Sequence, residues 1–189
     1  VGAGLVAAAG VAIAWWGLTR GRPQGQPFQN MRVSVQTSRG DVSDAALSPD
    51  GRFLAYIAGR AASSTLRVRQ VATGSDVEIV PPTDVPIRNP SFSPDGNYLF
   101  YTAVSPVRQN YLALYQVPSL GGTPRERAFD VDSRVSFSPD GKQLAFWRRL
   151  LQEVRSDLVI LDPDAEKERV AASVTDEHAF QGAPAWSPD

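Results

Sequence analysis

His178 is the single histidine of the chain, and no Gly-x-Ser-x-Gly nucleophile elbow accompanies it. A serine triad would therefore lack most of its usual parts, and the expected place of His178 is a loop. Asp162-Pro163-Asp164-Ala165-Glu166 gathers carboxylates, the hard oxygen ligands that calcium uses. An EF-hand loop opened at Asp162 would carry Lys167 where glycine makes the sharp bend and Ser173 where glutamate closes the ligand shell, so a solvated turn is expected there instead. No His-rich zinc spacing occurs, and no phosphate-cradling loop ends in Lys-Ser or Lys-Thr. With no cysteine, a thiolate nucleophile, a disulfide and a Cys-ligated metal are excluded. No catalytic, cofactor-binding or metal-binding residue is assigned from the sequence, no cofactor is expected, and the ligand-binding residues are unknown at this level.

Gly2-Ala3-Gly4-Leu5-Val6-Ala7 has the glycine spacing that lets a helix N-terminus approach a pyrophosphate. That chemistry needs a preceding strand and an acid about 20 residues on for the ribose. The first carboxylate is Asp41, beyond a Pro/Gly linker, so the glycines are read as small residues of a membrane helix, where they let helices pack closely.

The elements that position everything else follow from self-similarity. Ser-Pro-Asp occurs at Ser48-Pro49-Asp50, Ser93-Pro94-Asp95, Ser138-Pro139-Asp140 and Ser187-Pro188-Asp189, at spacings of 45, 45 and 49 residues. The first three copies continue with Gly51, Gly96 and Gly141, then with Leu54, Leu99 and Leu144, then with Tyr56, Tyr101 and Phe146. Leu47, Phe92, Phe137 and Trp186 precede the four turns. Proline presets φ at the second turn position, Asp tolerates the third, and Gly accepts the unusual backbone at the fourth. Flanked by short β-prone runs, the motif is a hairpin turn. A third strand is expected around Leu66, Leu112 and Leu158, and polar clusters such as Thr73-Gly74-Ser75 and Gly121-Gly122-Thr123 lead into a fourth. Four strands in about 45 residues is the size of a propeller blade.

The aligned leucines and aromatics are expected to be core, packing blade on blade. The Ser-Pro-Asp aspartates are expected to be turn residues, since a repeated position marks architecture and not one active site. Arg67, Arg69, Arg125, Arg127, Arg134, Arg148, Arg149 and Arg155 are interleaved with acids, and most of them are expected on solvated faces or in rim ion pairs. A ligand site at the central channel, where several blades converge, is not fixed by these residues.

Residues 1–18 carry no charged side chain. As a helix they would extend roughly 27 Å, close to the roughly 30 Å hydrocarbon core of a bilayer. Trp15 and Trp16 followed by Arg20 and Arg22 suit the headgroup boundary. A signal peptide, with Ala12-Ile13-Ala14 as a small-x-small site, lacks its basic leading region. Residues 19–40 hold four Arg, no acid and several Gln, Gly and Pro, and are expected to be a flexible linker. The net charge of −1 gives no long-range field, so no nucleic acid is expected as partner. The sequence therefore divides into a transmembrane helix over 1–18, a linker over 19–40 and propeller blades over 41–189. The fold class is all-β, a partial, truncated propeller of three full four-stranded blades plus the start of a fourth, preceded by one transmembrane helix.

Phe92-Ser93-Pro94-Asp95-Gly96-Asn97-Tyr98-Leu99-Phe100-Tyr101 and Phe137-Ser138-Pro139-Asp140-Gly141-Lys142-Gln143-Leu144-Ala145-Phe146 resemble the blades of TolB-like β-propellers over about residues 41 to 189. Residues 68–75 and 114–124 also resemble stretches of membrane-anchored bacterial serine/threonine protein kinases with a C-terminal propeller. That resemblance implies a cytoplasmic effector, one membrane helix and an extracytoplasmic, periplasmic propeller with a non-catalytic sensing or protein-interaction role. The Gly-rich loop, His-Arg-Asp and Asp-Phe-Gly signatures of a kinase are absent from these residues. The same blade occurs in transmembrane winged-helix regulators, in periplasmic scaffolds and in the propeller of prolyl-oligopeptidase-type peptidases, which remain alternatives. Expected partners are a protein, a peptidoglycan-associated partner or a small ligand through the propeller, and the membrane through residues 1–18.

Overall fold

The structure, a computed structural model, describes residues 33–37, 40–60, 63–108, 111–175 and 182–188. The expected membrane helix over 1–18 and most of the linker over 19–40 lie outside the described residues. Among the described residues no helix is long and apolar enough to cross a membrane. The compact unit that carries the sheets runs from Gln36 to Asp189.

That unit is all-β. The first sheet contains β1 (Val42–Leu47), β2 (Phe53–Arg60), β3 (Ser63–Gln70) and β4 (Asp76–Thr83). The second contains β5 (Ile87–Phe92), β6 (Tyr98–Val104), β7 (Leu112–Pro118) and β8 (Arg125–Phe129). The third contains β9 (Ser136–Phe137), β10 (Leu144–Leu150), β11 (Arg155–Asp162) and β12 (Lys167–Val174), with a 3-10 turn at Leu151–Glu153. Each sheet is a four-stranded antiparallel meander in sequence order, so the three 45-residue repeats are three blades.

The strands form for legible reasons. In β3, Leu66 and Val68 alternate with Arg67 and Arg69, and burial follows the same period of two. In β6 a run of five consecutive residues is buried, because this strand has a blade on either side and both of its faces are covered. Two apolar layers result. Between blades one and two lie Ala55, Ile57, Leu66, Val68, Leu99, Tyr101 and Val117. Between blades two and three lie Phe100, Leu114, Leu144, Phe146, Val159 and Leu161. Phe100 meets Phe137 edge to face at 5.3 Å, and Tyr101 stacks on Tyr115 at 5.4 Å. Each fully buried large side chain contributes about 1.5–3 kcal/mol of transfer free energy, so these layers are what hold neighbouring blades together.

Three expectations change in detail. Leu112 was expected to align with Leu66 and Leu158. Leu66 pairs with Ile57 and Leu158 with Trp147, and the matching position, opposite Thr102, is held by Leu114. The longer loop between β6 and β7 shifts the register by two residues without changing the face that is buried. Tyr56 was expected between blades. It lies on the opposite face of β2 from Ala55 and Ile57, and its hydroxyl donates to Asp76 Oδ2. The expected start of a fourth blade forms no strand over 182–188, since a strand needs a ladder partner and the described residues offer none there. Trp186 nevertheless docks: its indole N–H donates to the Ser136 carbonyl of β9 at 3.0 Å.

Candidate functional site

The Ser-Pro-Asp-Gly turns join the first strand of each blade to the second, and they are built alike. In the second blade Gly96 N–H closes the turn on the Ser93 carbonyl at 2.9 Å, Ser93 Oγ–H donates to Asp95 Oδ1 at 2.5 Å, and Tyr98 N–H donates to Ser93 Oγ at 2.9 Å. Asp95 Oδ1 also accepts Asn97 N–H at 3.1 Å. The same set recurs about Ser48 and Asp50 and about Ser138 and Asp140. The serine hydroxyl, and then the backbone N–H two residues on, hold Asp50, Asp95 and Asp140 below the usual carboxylate range. These aspartates are structural, as the repeat implied. They lie with the β3–β4 type turns on one face of the unit.

The opposite face gathers the β2–β3 type loops and the crossovers between blades, the segments whose lengths differ from blade to blade. Here each inner strand breaks its ladder. β1 shifts register between Val42 and Asp44, β5 shifts between Arg88 and Ser91, and β9 begins only at Ser136. Such irregularities re-aim side chains and cluster at sites. At the break sit Asp44, Asn89 and Arg134, each four residues before the turn serine of its own repeat and 45 residues from the next. Asn89 takes a positive φ of 56°, a conformation its short amide side chain tolerates.

These three residues meet where the inner strands converge. Arg134 Nη2 donates to Asp44 Oδ1 at 2.5 Å, and its Nη1 donates to the carbonyls of Pro90 at 2.8 Å and Ala45 at 3.3 Å. Asn89 N–H donates to Asp44 Oδ2 at 3.1 Å, and Asn89 Nδ2–H donates to Thr102 Oγ1 at 3.1 Å. One guanidinium thus ties blade three to blades one and two. Arg134 does form an ion pair, as most of the arginines were expected to, but on the axial side of the blades, where it is about one third exposed. The cavity beside it, about 600 Å³, is lined by Asp41, Ser43, Asp44, Arg88 and Asn89 among others. Arg88 is exposed at its mouth and makes no ion pair among the described residues. The arrangement offers both charge signs and several backbone groups on one concave surface, which suits recognition of a polar ligand.

The remaining sequence candidates separate. His178 lies outside the described residues. Asp162 Oδ1 accepts N–H bonds from Asp164 at 3.0 Å and Ala165 at 2.9 Å, which makes the acidic stretch the β11–β12 turn. Arg67 and Arg69 pair with Asp76 in blade one, Arg127 with Glu166, Arg148 with Glu168, and Arg155 with Asp157 and Glu153. Burial raises the Asp76 carboxyl, but the Tyr56 hydroxyl and the two arginines outweigh it and hold the group low. Asp44 and Asn89 were missed by the sequence reading. The signal that could have found them is their fixed offset from the turn serine, at a position where every repeat changes side-chain charge.

No protein-family model matches the sequence, and comparison with curated proteins finds no match. Solved structures do match. TolB of Acinetobacter baumannii superposes with a TM-score of 0.65 at 20% identity, covering 81% of this chain and 37% of its own. A protein assigned as TolB in Agrobacterium tumefaciens gives 0.59 at 24% identity, over 74% of this chain and 49% of its own. The β-propeller domain of the trilobed protease of Pyrococcus furiosus, which has an open velcro topology, gives 0.55 at 14% identity, over 74% and 44%. This chain thus spans less than half of each of these structures. Identities this low speak to fold, and the fold is that of TolB-like β-propeller blades.

Proposed function

We propose that these blades are a non-catalytic recognition module, which binds a protein, a peptidoglycan-associated partner or a small ligand at the concave surface beside Asp44, Asn89 and Arg134. The observation that carries the proposal is the contrast between positions. The turns and the interblade layers repeat from blade to blade, while the axial position changes from Asp to Asn to Arg. A repeated position builds a scaffold, and a varied one beside a cavity can read a ligand. In the same reading, residues 1–18 anchor the chain in the cytoplasmic membrane of a bacterium and the propeller lies outside it. The effector of this single-pass signalling protein is a serine/threonine kinase. The order of apolar segment, tether and repeats supports that reading, together with the resemblance of residues 68–75 and 114–124.

Recognition is tested by placing a photo-cross-linking amino acid at Ser43, which is exposed in the cavity, and at Thr73, which is exposed on the opposite face. Adducts specific to Ser43 are expected; adducts at Thr73 alone, or at neither, would count against the site. Topology is tested separately. The chain has no cysteine, so Val107→Cys, at a residue 85% exposed, gives a single thiol once any cysteine elsewhere in the whole protein is replaced. A membrane-impermeant maleimide should label it in intact spheroplasts. Labelling only after lysis would place the propeller in the cytoplasm and end the receptor-kinase reading.

A further inference from the structure

A second cavity, about 450 Å³, opens on the crossover face between blades two and three, away from the axial residues. Asp130 is the least exposed of its polar lining residues, at 8%. The fold fixes the backbone on either side: Val131 N–H donates to the Leu112 carbonyl at 3.0 Å, and Asp132 N–H donates to the Trp147 carbonyl at 2.9 Å. Asp130 itself is held at a φ of 56°. Among the described residues no donor bonds to its carboxylate. Arg148 is near enough to favour the charge, but its hydrogen bonds go to the Asp130 and Phe129 carbonyls and to Glu168. Its carboxylate oxygens are not sealed from solvent, so something that enters the cavity, water or a ligand, can supply the donor that the fold does not.

The lining decides what that something is. Asp130, Asp132 and Glu153 face one arginine, Arg149. Asp132 Oδ2 is already engaged by Arg149 N–H at 2.7 Å, and Glu153 pairs with Arg155 at 2.6 Å, which leaves Asp130 as the acceptor without a donor. Tyr111 is 48% exposed and Leu151 77% exposed, and both put apolar surface on the wall of the cavity that Asp130 lines. We propose that this cavity binds an aliphatic cation, an alkylammonium group such as a lysine side chain, whose N–H groups donate to Asp130 while its methylene stem lies on Leu151 and Tyr111. The geometry matches how long cationic side chains divide themselves, with an apolar stem against apolar surface and a charged head on a carboxylate.

The test is calorimetric titration of the full-length protein with Nα-acetyl-lysine amide, Nα-acetyl-norleucine amide and cadaverine. The lysine probe should bind and the uncharged norleucine probe should not. Asp130→Asn should weaken the lysine probe by about tenfold, as expected for loss of one charge-assisted hydrogen bond. Leu151→Ser should weaken it by a few-fold without altering the far-UV circular dichroism. Tighter binding of the lysine amide than of cadaverine assigns the cation to a peptide, and the reverse assigns it to a free amine. Equal binding of the lysine and norleucine probes, no binding of either cation, or an unchanged affinity in a folded Asp130→Asn variant would each overturn the proposal. The comparison between lysine and norleucine needs no variant, so it decides the matter even where a substitution fails to fold.

Discussion

Arg134 and Asp44 stand 90 residues apart and occupy the same place in their respective repeats, yet they meet directly, Nη2 to Oδ1, at 2.5 Å. The pair closes three inner strands on one another, because the same guanidinium also reaches carbonyls in blades one and two. Neither side chain is fully desolvated, so the attraction is worth more than at the open surface and less than in a dry core. Arg134→Met keeps the length and removes the donors, leaving a carboxylate and two carbonyls underserved. The expected cost is about 1–3 kcal/mol. Urea denaturation checks it, and Asp44→Asn combined with Arg134→Met should cost less than the sum of the two single changes.

Ser93 acts twice in its turn, donating to Asp95 and accepting from Tyr98 N–H, and it is 7% exposed. Ser93→Ala leaves a strand N–H without its acceptor and should destabilise by about 1–3 kcal/mol. The same change should move Asp95 back up toward the ordinary carboxylate range, since the serine hydroxyl is the largest of the groups holding it down. A group depressed in the folded state lends stability above its unfolded value and loses it as pH falls through the folded value. Acid unfolding of Ser93→Ala should therefore depend less on pH below the unfolded value of Asp than the wild type does. Carbon-detected titration of Asp95 provides the direct measurement.

The 45-residue period, the turns and most of the interblade core could be read from the sequence because they recur: Leu99 and Leu144, Tyr101 and Phe146, and the three Ser-Pro-Asp-Gly turns take equivalent places in successive blades. Recurrence conveys architecture and hides the positions that vary. Asp44, Asn89 and Arg134 do not recur in type, so alignment of the repeats passes over the position where the blades converge. Asp130 was equally hidden, because the β8–β9 crossover has no counterpart of the same length and its burial arises from blade packing. The two-residue displacement of Leu114 from the expected Leu112 has the same source, a loop length that local pattern does not specify.

Gly59 pairs with Ser64 at a φ of 96°, and a Cβ added there would lie 2.0 Å from the Ser63 carbonyl oxygen. That atom is backbone within the β2–β3 hairpin and cannot swing aside. Gly59→Ala combines a left-handed backbone with a steric clash and should cost about 1–3 kcal/mol or more. Gly121→Ala, at a φ of 100° but with open space around the added carbon, should cost less. Comparing the two midpoints in urea isolates the clash from the dihedral penalty.

Asp130 gives a pH dependence of the opposite sign to Asp95. Burial raises its carboxyl, the neighbouring Asp132 adds to the rise, and Arg148 opposes it without cancelling it. The folded chain therefore holds a proton at Asp130 at pH values where the unfolded chain has released it. Between the unfolded value and the raised folded value, stability falls as pH increases, and at neutral pH the ionised group is a standing cost. Asp130→Asn removes that cost while keeping the shape, so the variant should be more stable than wild type at neutral pH. The advantage should shrink as the pH drops through the folded value of Asp130, where the wild-type carboxyl becomes neutral too. Urea midpoints of wild type and Asp130→Asn across this range check the sign. An amine bound at Asp130 should narrow the difference at neutral pH by stabilising the wild type alone, because a ligand that favours the folded state shifts the equilibrium by mass action. Failure of cadaverine or the lysine amide to narrow it would leave the raised carboxyl in place and remove its ligand.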